Sequence, residues 1–160
     1  MNKEYILPLT RAEEAGKKSP RLVRAAARIA VIAQWPDKHK CLFVRHQTKG
    51  LELPGGAIDP NEVPLQTSLR ELREEAGMQL SADCRLMLID MVPIKDQRGG
   101  SWLDIIYGTI VTPLQITVQQ EAEFPIFWLT LEEIREMVDR QLSSYKTALI
   151  ALRECVYWTY

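Results

Sequence analysis

Cysteine and histidine are both scarce in this chain of 160 residues, which contains three cysteines and two histidines. The cysteines, Cys41, Cys84 and Cys155, are widely spaced and include no C-x-x-C pair. This spacing argues against a disulfide framework and against a zinc site, and it fits a reducing compartment. We therefore expect a cytoplasmic protein.

The chain also lacks long apolar segments and an excess of charge of either sign. No apolar run approaches the ~18 residues that can cross a membrane, and residues 1–18 contain no apolar core of signal-peptide length. The net charge is −1, so no global field attracts nucleic acid or an anionic membrane. We expect no stable complex with nucleic acid and no membrane association.

The length and composition suit a single domain, because 46% of the residues are hydrophobic and can form a core. We predict a domain over residues 23–160 and an N-terminal leader over residues 1–22. Capping-box spacing from Thr10 to Glu13 is compatible with a short helix in this leader. A loose arm is equally compatible with the sequence, as is an arm that adds a strand to a second copy of the chain in a homodimer.

Apolar segments bounded by turn residues predict strands over residues 25–34, 40–46, 51–53, 84–92, 102–111 and 124–128. Pro125 indicates that the last of these strands lies at a sheet edge. Capping-box spacing from Thr130 to Glu133 predicts that a helix opens there. A last amphipathic helix is predicted over 143–157. Strands and helices in mixed order predict an α/β or α+β fold.

The most informative segment is residues 56–78, whose second half predicts a helix. Each residue of a helix advances about 100°, so Glu71, Glu74 and Glu75 share a stripe of roughly 100°. A second stripe should face the core, and it contains Leu65, Leu69, Leu72 and Ala76. One helix is therefore expected to bury an apolar face and to hold three carboxylates on another.

Carboxylates at positions i, i+3 and i+4 repel one another and destabilise an isolated helix. One interpretation is a solvated acidic face that Arg70 and Arg73 neutralise. The other is a site for a hard divalent cation, since Mg²⁺ and Mn²⁺ take oxygen ligands. The Gly-Gly turn just before the segment favours the cation, because backbone can approach a ligand closely there. Pro64 suits the first helical turn, and Gly77 should end the helix.

Residues 56–78 match, position for position, the box G-x5-E-x7-R-E-U-x-E-E-x-G-U of the Nudix (MutT-like) hydrolases, where U is bulky and apolar. The fixed places are filled by Gly56, Glu62, Arg70, Glu71, Leu72, Glu74, Glu75, Gly77 and Met78. Asn61 stands where a glycine often precedes the first glutamate, and this departure should affect the turn more than the chemistry. The chain resembles this family, which implies an α-β-α sandwich around a mixed β-sheet.

The resemblance also implies a metal-dependent hydrolase that cleaves a diphosphate linkage in a nucleoside diphosphate joined to another group. Glu74 and Glu75 would be the principal ligands of Mg²⁺, with Mn²⁺ as an alternative, and the Gly55 carbonyl would add an oxygen. Glu71 would be a further ligand or the base that orients water, and Arg70 would orient Glu71 by a charge-assisted hydrogen bond.

The remaining residues of the box have structural roles in this interpretation. Glu62 would hold the loop to the helix or reach the metal through water. Gly56 and Gly77 would shape the turn before the helix and the end of the helix.

Substrate contacts are less well specified by the sequence. Many Nudix enzymes take a further acid from a later loop, for which Glu121 and Glu123 are the candidates, with loop solubility as the alternative. Arg45 lies near the strand end that leads to the box and is a candidate contact. Trp102 offers a ring for base stacking, with core packing as the alternative, and Asp104 offers a carboxylate for a base edge.

A small nucleotide is the implied substrate, and we place a nucleoside triphosphate slightly ahead of ADP-ribose or a nucleotide sugar. Pro93, 15 residues after Met78, resembles the ADP-ribose pyrophosphatase subgroup, but a proline after a strand is also a common strand terminator. Two other classes share the fold. A nucleotide-binding module normally has a broken box, and an isoprenoid diphosphate isomerase needs a cysteine and a glutamate at one carbon centre.

Overall fold

The computed structural model describes residues 24–95, 100–139 and 153. The predicted leader over 1–22 lies outside these residues, as does the predicted last helix over 143–157 apart from residue 153. Within the described part of the chain, no helix is long and apolar enough to span a membrane.

Nine strands and two α-helices occur among the described residues. The strands are Arg24–Gln34 (β1), His39–His46 (β2), Gly50–Glu52 (β3), Gly55–Ala57 (β4), Met78–Leu80 (β5), Met87–Lys95 (β6), Ser101–Val111 (β7), Ile116–Val118 (β8) and Ile126–Thr130 (β9). The helices are Pro64–Ala76 (α1) and Leu131–Asp139 (α2), and a short 3-10 helix, Pro113–Gln115, precedes β8.

Seven strands form a mixed sheet with the order β3-β2-β1-β7-β6, in which β4 also pairs with β1 and β9 also pairs with β2. β1 and β7 are parallel, and the other pairs are antiparallel. β5 and β8 form a separate two-stranded sheet. This mixed sheet with helices confirms the predicted α+β class.

The two helices cover opposite faces of the sheet. Successive side chains of a strand point to opposite sides, so two neighbouring residues of β1 show which helix lies on each side. Ile32 of β1 belongs to the same buried cluster as Ile134 of α2. Its neighbour Val31 belongs to a second cluster with Leu72 of α1. The chain is therefore an α-β-α sandwich, as the box resemblance implied.

The strand predicted over 84–92 is shifted toward the C-terminus. It begins at Met87 and continues through Pro93 to Lys95, so the expectation that Pro93 ends the strand was wrong. Among the described residues β6 pairs only with β7. An edge strand tolerates proline, because only one side of such a strand is paired. A missing N–H on the solvent side leaves no acceptor of a neighbouring strand without a donor.

The helix in the box begins at Pro64, as predicted, and ends before Gly77. Gly77 has a φ of 67°, and its N–H donates to the Arg73 carbonyl at 3.0 Å. The apolar stripe is narrower than expected: Leu72 and Ala76 are buried, whereas Leu65 and Leu69 are half-buried. Three polar residues of the helix are buried as well, Thr67, Ser68 and Glu75.

Gly77→Ala should destabilise the fold more than the matched substitution Gly50→Ala. Both glycines have positive φ, 67° and 79°, which costs an alanine about 1–2 kcal/mol. A Cβ on Gly50 would have no neighbour within 4 Å, whereas a Cβ on Gly77 would overlap the Gln120 carbonyl oxygen. We expect a loss of unfolding free energy at Gly77 about twice that at Gly50 or more, measured by urea denaturation. Equal losses would contradict the steric argument.

Candidate active site

Arg70 of α1 is surrounded by carboxylates. Its Nε donates to Glu62 Oε1 at 2.8 Å and its Nη2 to Glu62 Oε2 at 3.3 Å. Its Nη1 donates to Glu71 Oε1 and to Glu74 Oε2, each at 3.0 Å. Asp59 lies 3.4 Å from Nη2. The hydrogen bond with Glu62, together with the other negative charges, raises the pKa of Arg70, so this guanidinium stays charged while it holds two carboxylates of the stripe.

Glu75, the third carboxylate of the stripe, faces the backbone of β4. It is 7% exposed, and its Oε2 accepts a hydrogen bond from the Gly55 N–H at 3.0 Å. Burial raises the pKa of Glu75 to about 7 in spite of this hydrogen bond. A cation beside Glu75 would offset the cost of removing the charged carboxylate from water.

Gly55 and Gly56 were predicted to form a turn, but they lie in the short strand β4, which pairs with β1 and contacts α1. Gly55 and Gly56 pair with Arg28 and Ala27 of β1. A Cβ on Gly56 would overlap the Glu71 carboxylate and force that side chain to shift, so glycine lets β4 and this carboxylate approach closely. Burial raises the pKa of Glu71 as well. β4 therefore places backbone directly against two desolvated carboxylates.

The donor chemistry of this site suits a hard cation. Glu75 and Glu71 offer carboxylate oxygens next to the backbone of Gly55 and Gly56, and Glu74 shares Arg70 with Glu71. Mg²⁺ prefers such oxygen ligands. Within residues 24–95 and 100–139, no three His, Cys, Asp or Glu side chains are already gathered as an ion-binding group. Arg70 and the Gly55 N–H each hold one oxygen of these carboxylates, so an ion would have to be shared through the second oxygen of each.

The loop that carries Glu121 and Glu123 is attached to the end of α1. The Glu123 N–H donates to the Glu74 carbonyl at 3.2 Å, and the Phe124 N–H donates to the Glu75 carbonyl at 3.1 Å. Both candidate acids are exposed. The backbone thus brings this loop to the helix that holds the carboxylates.

The other candidate contacts are spread over two strands. Arg45 is exposed near the end of β2, with its guanidinium 4.5 Å from the centre of the Phe127 ring. Trp102 is half-buried at the start of β7, and the Arg24 guanidinium lies 5.5 Å from its ring centre. Asp104 is 3% exposed and accepts a hydrogen bond from Arg28.

Arg28, which was not among the predicted site residues, makes a half-buried ion-pair network next to β4. Its Nε donates to Asp104 Oδ2 at 2.8 Å, and its Nη1 lies 3.3 Å from Glu52 Oε2 and 3.4 Å from the Leu53 carbonyl. Burial alone would lower the pKa of Arg28, but the charges of Asp104 and Glu52 outweigh it and raise the pKa. The sequence signal that could have indicated this network is an arginine in the middle of an apolar strand, because a charged residue in such a place is usually paired.

Thr67 was also missed. It is completely buried, and its Oγ1 donates to Glu62 Oε2 at 2.6 Å. The available signal was its position four residues before Glu71, which places it on the carboxylate face of the helix.

A family model for the NUDIX domain matches residues 24–149, well over half of the chain. The chain belongs to the NUDIX family. It is an enzyme of that family, a pyrophosphohydrolase.

The chain is similar in sequence to two curated proteins. The chain is 28% identical over 137 residues to a probable DHNTP pyrophosphohydrolase of Lactococcus lactis, an alignment that covers 82% of this chain and 78% of that protein. It is 34% identical over 103 residues to a putative 8-oxo-dGTP diphosphatase of Mycobacterium tuberculosis, covering 62% of this chain but only 46% of that protein.

Solved structures show the same fold. An Ap4A hydrolase of C. elegans superposes with a TM-score of 0.60 at 16% identity, over 87% of this chain and 100% of that one. The NUDIX domain of Shewanella oneidensis NrtR, solved with ADP ribose, gives a TM-score of 0.62 at 20% identity, over 92% of this chain and 99% of that one. At these identities the likeness concerns the fold alone.

Proposed function

We propose that this NUDIX enzyme hydrolyses a diphosphate linkage in a nucleoside triphosphate or a related nucleotide, and that it uses Mg²⁺, with Mn²⁺ as an alternative. The observation that supports this most directly is the close approach of α1 to β4 at Gly55 and Gly56. The carboxylates of Glu71 and Glu75 are desolvated at this place. Glu75 is kept from water and is held by the neutral Gly55 N–H, and a carboxylate in such a place suits a divalent cation.

In this proposal Glu74 and Glu75 are the principal ligands of the ion, and the Gly55 carbonyl adds an oxygen. Glu71 is a further ligand or the base that orients the attacking water. The bound ion would neutralise the negative charge that accumulates on the phosphate oxygens during attack. Arg70 holds Glu71 and Glu74 through its Nη1, so its contribution is to fix their geometry.

The substrate contacts remain part of the proposal. Arg45 is exposed at a strand end and is suited to the phosphates. Either Glu121 or Glu123 supplies a later acid, which is supported by the attachment of their loop to the backbone of α1. Trp102 would stack on a base. Because Asp104 is paired with Arg28, a base contact by Asp104 would have to use its other carboxylate oxygen or displace that pair.

Nucleoside triphosphates are proposed ahead of ADP-ribose and nucleotide sugars. In support, three aligned sequence relatives with different coverage carry the name 8-oxo-dGTP diphosphatase or its putative form. The relative that shares the longest aligned segment among those described here is named a DHNTP pyrophosphohydrolase. ADP-ribose stays the runner-up, because a structural neighbour was solved with that ligand.

A substrate panel with product identification tests the proposal. We expect Mg²⁺-dependent release of pyrophosphate or phosphate, with kcat/KM for a nucleoside triphosphate at least equal to that for ADP-ribose. A preference above ~10²-fold for ADP-ribose, or about 2.7 kcal/mol of transition-state binding, would reverse the proposed order. Binding of nucleotides without release of either product would favour a nucleotide-binding module, and carbon-centred rearrangement of a diphosphate would favour an isomerase.

We also propose a single domain over residues 23–160 preceded by a leader over 1–22, in keeping with a family match that begins at residue 24. Sedimentation of the full chain and of a chain shortened by the leader tests whether the leader supports a homodimer. A sedimentation coefficient that shows a monomer in both cases would remove the dimer from the proposal.

A further inference from the structure

Two neighbouring hydroxyls of α1 are completely buried but serve different partners. Ser68 Oγ donates to the Leu65 carbonyl at 2.8 Å, a bond within the helix itself. Thr67 Oγ1 instead donates to the side chain of Glu62 at 2.6 Å. Both residues are 0% exposed, so they share their burial and their element and differ only in what the hydroxyl holds.

The bond from Thr67 completes the set of donors around the Glu62 carboxylate. Arg70 reaches Glu62 with two nitrogens, Nε at 2.8 Å and the more distant Nη2 at 3.3 Å. Thr67 adds a short bond to Oε2, the oxygen that Arg70 holds less tightly. With three donors on its two oxygens, the Glu62 carboxylate is held in one plane. The Arg70 guanidinium, which binds both of these oxygens, is held in a matching orientation.

The orientation of that fork determines where Nη1 of Arg70 points. Nη1 donates to Glu71 and to Glu74 at 3.0 Å each. A rotation of the Glu62 carboxylate would turn the guanidinium and move Nη1 away from both acceptors. The chain of contacts therefore runs from a buried hydroxyl through Glu62 and Arg70 to two carboxylates of the proposed site.

We infer that Thr67 is a positioning residue, which locks Glu62 and through it sets the geometry of Arg70, Glu71 and Glu74. The inference rests on the proposed function for its effect on turnover. Thr67 itself touches neither substrate nor reacting atoms in this scheme. Its effect should appear in the chemical step rather than in substrate binding, because the carboxylates that it helps to place act on the diphosphate during attack.

The test compares Thr67→Val, which keeps the shape of the side chain but removes the donor, with Thr67→Ser, which keeps the donor. Thr67→Ala and Ser68→Ala form a second pair, in which the control loses an equally buried hydroxyl of the same helix. We expect Thr67→Val and Thr67→Ala to lower kcat about tenfold with KM nearly unchanged, the size expected when a hydrogen bond to a charged group is lost. Thr67→Ser and Ser68→Ala should stay within about twofold of the parent chain.

A second readout does not depend on turnover. The hydrogen-exchange rate of the Arg70 Nε–H, followed by NMR of arginine-labelled protein, reports directly on its bond to Glu62. Loss of the Thr67 donor should accelerate this exchange about tenfold, whereas loss of the Ser68 hydroxyl should not. Equal kcat and equal exchange in the Thr67→Val and Ser68→Ala proteins would overturn the inference. A parent chain that hydrolyses no nucleotide would instead overturn the proposed function, and the exchange rates would still decide the role of Thr67.

Discussion

Replacing Glu75 by glutamine should lower turnover at least ~10²-fold, the size of effect seen when a main electrostatic group of an active site is removed. Glutamine keeps the length of the side chain and an oxygen that can accept the Gly55 N–H, which now binds Glu75 Oε2 at 3.0 Å. What it removes is the charge that a divalent cation would bind. The same change at Glu74 should have an effect of the same order.

The fold should survive the change at Glu75, which separates a chemical effect from unfolding. Burial disfavours the charged form of Glu75 and raises its pKa to about 7. A neutral amide avoids that desolvation cost, so we expect no loss of unfolding free energy. The matched control is Glu136→Gln, which changes an exposed glutamate of α2 and should leave turnover unchanged. Near-parental turnover of either active-site variant with Mg²⁺ present would contradict the assignment of the ligands.

The helix that carries these glutamates was predictable because its determinants are local. Pro64 pre-sets the backbone of the first turn, and Gly77 takes the left-handed conformation at the end, with a φ of 67°. The turn at residues 60–61, just before the helix, is also determined by its own residues. Asn61, in the place where glycine often stands, has a φ of 70°, and asparagine is among the residues that adopt this region most readily.

Three of the four three-residue strands were not predicted from local pattern, although β3 was. β4, β5 and β8 have three residues each, too few to show an alternation of period two. Their backbone groups are paired with distant segments: Met78 lies opposite Val118, and Ala57 lies opposite Ala26. Tertiary pairing rather than intrinsic propensity makes these residues extended.

The burial of polar residues was also not predictable from the sequence pattern. A helical wheel assigns polar residues to the solvent side, which is correct for Arg73 but not for Thr67. Asp104 is a second example: its carboxylate was predicted to contact a base, but it is paired with Arg28. Its partner Arg28 is 76 positions away in the chain, and only the parallel pairing of β1 with β7 brings the two strands together.

Arg28→Met should therefore cost about 3–5 kcal/mol of unfolding free energy, the range for removing one partner of a buried ion pair. Methionine fills much of the space of the arginine stem, but Asp104, which is 3% exposed, is left charged and unpaired. Glu52 loses its contact with Nη1 as well. Urea denaturation at constant m measures the loss. As a control, Arg85→Met changes an exposed arginine and should stay within about 0.5 kcal/mol of the parent chain.

A double variant separates the buried charge from lost packing. Arg28→Met combined with Asp104→Asn keeps the shape of the Asp104 side chain but removes its uncompensated charge. We expect the double variant to be more stable than Arg28→Met alone by about 1–2 kcal/mol, because an unpaired neutral amide costs less to bury than an unpaired carboxylate. If the two variants unfold at the same urea concentration, packing of the arginine stem and not its charge is what stabilises the junction of β1, β4 and β7.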